Sequence, residues 1–154
     1  MKRIAAAVVF AAVAAVLTAP AFALAPGNRV FGLRHGGLER RYIVHVPAAV
    51  RIRPAVVLNI HGGGGNALAH QQYVRMDVLA DREGFLVVYP DGTGPVRERF
   101  LTWNAGTCCG VAQADDVGFV RAVLDDLAGR IAYDASRVYA TGLSNGAMMS
   151  YRLA

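Results

Sequence analysis

Three short apolar runs constrain this chain more than any other feature: PAVVLNI at 54–60, FLVVYP at 85–90 and RVYAT at 137–141. Each lacks the polar alternation of a half-solvated strand, and each stops at a turn signal. They read as strands covered on both faces, as happens where helices pack on either side of a sheet of parallel strands. The segments between them have helical spacing. Residues 67–82 place Leu68, Tyr73, Met76, Val78 and Leu79 along one helix that stops at Gly84. A second helix starts with Asp115 or Asp116 as its cap and carries an apolar stripe of Val117, Val120, Val123, Leu124 and Leu127. Upstream, ERRYIVHVP alternates Tyr42, Val44 and Val46 with polar neighbours, which predicts a strand paired with a shorter one at 29–33 across His35-Gly36-Gly37. The expected fold is α/β, a mostly parallel sheet with helices on both faces.

The amino-terminal stretch belongs to none of these elements. Lys2 and Arg3 precede an unbroken apolar run from Ile4 to Leu17 and the small-residue pattern Ala21-Phe22-Ala23. That layout predicts a secretory signal peptide over 1–23, cut near Ala23, because the apolar core is shorter than the roughly 20 residues a membrane span needs. The domain proper is then expected over 24–154, in a protein exported to the extracellular space or periplasm, with no membrane attachment after cleavage. With Lys2 and Arg3 set aside, fourteen arginines are scattered among eleven acids, and no basic stripe of the kind that tracks a phosphate backbone is present. Nucleic acid is therefore not an expected partner. The two cysteines, Cys108 and Cys109, are adjacent and fit no zinc spacing. In an oxidising compartment they point to disulfides, either with each other, below the usual Cα separation, or with partners elsewhere.

Chemistry is expected where strands end, since catalytic groups of such sheets gather at the carboxyl ends of the strands. Two features fall there. RVYAT runs into Gly142-Leu143-Ser144-Asn145-Gly146 ahead of a helix at 147–154. This strand–turn–helix setting fits a turn that projects a serine hydroxyl above the sheet, with glycines where side chains would collide. The plain alternative for the pentapeptide is a glycine-lined turn whose serine caps a helix. The second feature is the loop His61-Gly62-Gly63-Gly64-Gly65 after the first buried strand. If Ser144 is a nucleophile, its oxyanion needs two backbone donors. Asn145 supplies one and Gly63, or else Gly62, the other. His61 is expected to hold its loop, because in this architecture the order is Ser, acid, His. No His, Asp or Glu follows Ser144.

The strings HGGGG, YPDGT, WNAGTCCG, DDVGFVRAVLDDLA and RVYATGLSNGAMMSYRLA together resemble the secreted α/β-hydrolases grouped as polyhydroxybutyrate depolymerase-like esterases and feruloyl esterases. The resemblance covers nearly all of the chain after residue 23. It implies a serine esterase acting through an acyl-enzyme on short-chain polyester, or on feruloyl and acetyl esters of plant polysaccharide, with no metal or organic cofactor. By that resemblance Ser144 matches the nucleophile, and Gly63 the oxyanion-loop position that is often a cysteine in relatives. The acid and the histidine of the family lie well downstream of the serine. The chain is accordingly expected to be an amino-terminal fragment truncated after the nucleophile elbow, inactive alone, with 137–141 as an exposed apolar edge. Two rival readings stand beside this one. Gly62-x-Gly64-x-x-Ala67 after a strand, with Asp91 ending the next, also fits a dinucleotide-binding fingerprint. A non-catalytic hydrolase-like protein is the other. Trp103, Met148 and Met149 are expected to pack in the core, with a substrate platform as the alternative for Trp103 given its loop position, and Asp115 and Asp116 to serve as a cap and its solvated or hydrogen-bonded neighbour.

Overall fold

A computed structural model describes residues 24–106, 108–109 and 113–154; the predicted signal peptide lies outside them. Five strands form one sheet in the order β1-β2-β4-β3-β5. They are β1 (Gly27–His35), β2 (Leu38–Val46), β3 (Val56–Ile60), β4 (Leu86–Pro90) and β5 (Val138–Gly142). The two strands β4 and β5 flank β3 in parallel register, whereas β2 is antiparallel to both β1 and β4. All strands but β2 therefore share one direction. The β1–β2 hairpin closes on Gly36 and Gly37, both at positive φ (57° and 81°), which the tightest hairpin turns require. Both strands are longer than the alternating pattern alone suggests, pairing from Gly27–Val46 to His35–Leu38.

Helices cover both faces, as expected. From the predicted stripe of α3 (Asp116–Ala128), Val120, Val123 and Leu127 pack on Tyr42, Val44, Val56, Leu58, Leu86 and Val88, joined by the unforeseen Phe119, while Val117 and Leu124 are only partly buried. Met149 of α4 (Asn145–Leu153) joins the same cluster. On the opposite face, Ala67 and Ala80 meet Ile43, Val87 and Tyr89. Alternation along β2 and β4 thus feeds two cores from one sheet.

The segment 67–82 departs from expectation. It forms two helices, α1 (Ala67–Val74) and α2 (Met76–Glu83), separated by Arg75 at φ 50°. The Arg75 N–H closes α1 on Gln71 O, 3.0 Å away. Leu68, Tyr73, Val78 and Leu79 are exposed, and Ala67, His70, Gln71 and Ala80 face inward instead. The sheet beneath presents polar groups that draw polar partners. Asn59 Oδ1 meets His70 Nε2 at 2.8 Å, and Tyr89 Oη donates to Asp77, which also accepts from Gln71. Met148 is likewise partly exposed where a core contact was expected. At the far side, β5 is the sheet edge, and Tyr139 on it is 56% exposed.

Burial, and secondarily the neighbouring His61, lowers the His70 pKa from its ordinary 6.5 to about 4. Between these values the unfolded chain takes up a proton that the folded chain refuses. Folding stability should therefore be lost as pH falls from 6.5 toward 4. Urea midpoints across that window should drop less steeply in His70→Gln; an unchanged slope would assign the acid sensitivity to other groups.

Candidate active site

Strand β5 ends at Gly142 and α4 begins at Asn145, so Leu143 and Ser144 alone reverse the chain. Ser144 adopts φ 50°, ψ −118°, a region costing a non-glycine residue about 1–3 kcal/mol. Close backbone contact around the turn keeps this conformation in place. A Cβ at Gly142 would lie 2.5 Å from the Gly146 carbonyl carbon and 2.8 Å from Ile60 O. One at Gly146 would overlap Ile60 O and His61 O. Ser144 stands at the N-cap position of α4, yet its side chain makes no capping hydrogen bond and the residue is exposed. The reading of Ser144 as a helix-capping serine is not met.

The glycine loop lies alongside. A Cβ at Gly62 would sit 3.7 Å from Ser144 Cβ, and one at Gly63 would sit 3.6 Å from Asn145 Cβ. His61 anchors the loop from beneath, buried to 1% exposure. Its Nε2 accepts from Gly92 N at 3.0 Å, which leaves Nδ1–H to donate to Gly62 O at 2.8 Å. Both ring nitrogens are spent, and burial holds the imidazole below its ordinary pKa, so His61 is a neutral structural group. The loop is further fixed where Gly64 N donates to Leu101 O and Leu101 N to Gly65 O. Among the described residues, neither the Gly63 N–H nor the Asn145 N–H donates to a protein acceptor. Asn145 opens α4, so its amide also has no intrahelical partner, and the positive end of the helix lies at that amide.

The Asn145 side chain, fully buried, joins this elbow to the loop after β4. Its Oδ1 accepts from Trp103 N at 2.8 Å, and its Nδ2 donates to Trp103 O at 3.3 Å. Trp103 in turn donates Nε1–H to His61 O at 2.9 Å, with its ring 5.0 Å from the imidazole. Trp103 is wholly buried, so it packs as expected and offers no platform to a ligand. Below it, Arg40 pairs with Asp116 at 2.6 Å, lies 3.6 Å over the Phe119 ring and donates to Asp91 O. Asp116 also accepts from Asn104 N at 2.6 Å, bracing the segment that carries Trp103. Asp115 is the cap of α3, accepting from Gly118 N at 2.9 Å.

The remaining histidines are engaged elsewhere: His35 with Asp115, His45 with Asn28 and Asp81, His70 with Asn59. Among the described residues no histidine or carboxylate is hydrogen-bonded to Ser144. Asp91 is equally occupied. One oxygen accepts from Ala67 N and the other from Arg41, so the carboxylate holds the start of α1 and is not free for a ribose. Cys108 and Cys109 are bonded to each other, their Cα atoms 3.7 Å apart. The side-chain roles of Asn145 and Arg40 were not foreseen, because each acts across a long stretch of chain that no local pattern encodes.

Ser144 is thus exposed on a strand–turn–helix elbow, close to two loops whose Gly63 and Asn145 amides have no acceptor among the described residues. The fold and this arrangement define the α/β-hydrolase class. The chain belongs to the esterase PHB depolymerase family, whose model matches residues 40–154. It is 33% identical over 119 residues to feruloyl esterase B of Neurospora crassa, covering 71% of this chain and 37% of that protein. It is 30% identical over 119 residues to the bifunctional acetylxylan esterase/xylanase XynS20E of Neocallimastix patriciarum, covering 77% of this chain and 16% of that protein. The chain thus spans well under half the length of these curated relatives. Its fold is similar to that of a poly(3-hydroxybutyrate) depolymerase from Bordetella parapertussis, with TM-score 0.65, 21% identity, and coverage of 83% of this chain and 46% of that one. An acetyl xylan esterase from Aspergillus awamori gives TM-score 0.63 and 21% identity, with coverage of 82% and 46%. No helix among the described residues is long and apolar enough to cross a membrane.

The contact of Gly146 with the carbonyls of Ile60, at the end of β3, and His61, just after it, sets a test of the elbow. Gly146→Ala should destabilise the protein by about 2–3 kcal/mol or prevent folding, read from urea midpoints or soluble yield. A midpoint within experimental error of the parent would mean that the turn is looser than described.

Proposed function

We propose that residues 24–154 form the nucleophile-bearing, amino-terminal part of a serine esterase that hydrolyses carboxylic esters through an acyl-enzyme. The single observation that carries this reading is the exposed, uncapped Ser144 on its strained elbow, set against the Gly62–Gly63 loop. Ser144 attacks the ester carbonyl while the N–H groups of Gly63 and Asn145 hold the oxyanion; the ester C–O bond breaks, the alcohol leaves with the proton taken from the serine, and water then releases the acid from the acyl-enzyme. The histidine that takes the serine proton, and the carboxylate that orients it, come from sequence beyond residue 154, since the four histidines present are committed to other partners. The 154 residues alone are then inactive, because a hydroxyl without its base is a weak nucleophile. The reading needs no metal or organic cofactor. The leader-like stretch 1–23 directs export, so the substrate is met outside the cytoplasm. Feruloyl and acetyl esters of polysaccharide, and short-chain polyester, are the substrate classes that the named relatives suggest.

In a chain extended to the length of its relatives, Ser144→Ala should cut hydrolysis of 4-nitrophenyl butyrate by roughly four to six orders of magnitude. Retained turnover would remove Ser144 from the mechanism. Titration with NADH should give no fluorescence change, in keeping with the occupied Asp91 carboxylate. Saturable NADH binding would favour the dinucleotide reading instead.

A further inference from the structure

The two proposed oxyanion donors come from different loops, and something must set the distance between them. Gly63 belongs to the turn after β3 and Asn145 to the start of α4. Between them lies Thr102. Its Oγ1 is 2.9 Å from Cys109 O and 3.0 Å from Asn145 Oδ1, so its one proton is shared between two acceptors. Cys109 in turn packs on the glycine loop: a Cβ at Gly63 would meet Cys109 Cβ at 3.1 Å and its Sγ at 3.3 Å. Thr102 is itself anchored, exchanging backbone hydrogen bonds with Thr93 at 2.7 and 2.9 Å, and the preceding Leu101 is bonded to Gly64 and Gly65. Cys109 holds a left-handed backbone, φ 74°, and is covalently tied to its neighbour Cys108.

We propose that Thr102 and Cys109 are positioning residues for the oxyanion hole, a clamp that fixes the Gly63 and Asn145 amides relative to one another. This inference rests on the esterase reading given above. Both residues also line the cavity beside the glycine loop, and the clamp assigns them an effect through the two amides and none on the reacting atoms. The hydroxyl of Thr102 steadies Asn145 through its side chain, and the Cys109 side chain limits how far Gly63 can withdraw. Oxyanion donors must meet charge that develops only in the transition state, so a displacement of either amide acts on kcat and leaves ground-state binding nearly untouched. Misplacement of about 1 Å in such a site can cost on the order of 100-fold in rate.

The test uses the extended chain and the ester 4-nitrophenyl butyrate, with Ser144→Ala as a parallel control. Thr102→Val should lower kcat about 10- to 100-fold with KM within about twofold, and Thr102→Ser should restore it. Affinity for a trifluoromethyl ketone, which becomes an oxyanion mimic on the serine, should fall by the same factor as kcat/KM. A second arm keeps the test open if the valine variant folds poorly: mild reduction of the folded parent, or Cys108→Ser with Cys109→Ser, should lower kcat in the same way. Unchanged kcat in both arms, or a loss carried by KM, overturns the clamp. Turnover that survives Ser144→Ala instead overturns the esterase reading on which the clamp rests.

Discussion

The buried pairing of Asn145 with Trp103 organises the rest of the site. Oδ1 and Nδ2 of one amide satisfy the N–H and C=O of one buried tryptophan, and the indole N–H then reaches the carbonyl at the end of β3. Three segments that are remote in sequence are joined in one place: the glycine loop, the irregular loop after β4, and the elbow. A buried amide left without its partners costs about 1–3 kcal/mol each, so the arrangement is strongly preferred to any in which one segment drifts. The backbone of Asn145, next to Ser144, is held in place by its own side chain.

Beneath that pairing the structure relies on a buried charge. Arg40 lies between the Phe119 ring and the Asp116 carboxylate, with Asp91 O as a further acceptor. Burial pulls its pKa below the usual guanidinium value while Asp116 opposes the shift. Removing either partner would strand the other in the interior, which is far costlier than losing a surface pair. Asp116 also holds Asn104, so this ion pair reaches the tryptophan segment and, through it, Asn145, one of the two proposed oxyanion donors. Asp91 plays a parallel part on the other face, linking β2 to the first turn of α1.

Much of this was legible in the sequence because it is encoded locally. Apolar runs without alternation marked the strands, of which β3 and β4 are buried while β5 is exposed at its middle residues; an aspartate at 115 or 116 marked the start of α3, and Gly142 and Gly146 marked a turn where backbones approach too closely for side chains. The helix break at Arg75 was not legible. QQYVRMDVL keeps a helical period through Arg75, a residue with no preference for the positive φ it adopts. Leu68, Tyr73, Val78 and Leu79 lie outward, against a pattern that suggested burial, while His70 and Asp77 meet polar groups of the sheet. Nor could the Asn145–Trp103 pairing be foreseen, since its partners lie 42 residues apart and only the fold brings them together.

The central claim is that an exposed serine faces two amides placed to receive an oxyanion. A crystal structure of the extended chain after reaction with a fluorophosphonate tests it most directly. The account predicts phosphorus bonded to Ser144 Oγ, with the phosphoryl oxygen about 2.7–3.1 Å from the nitrogens of both Gly63 and Asn145. An adduct on another residue, or a phosphoryl oxygen turned away from those amides, would contradict it.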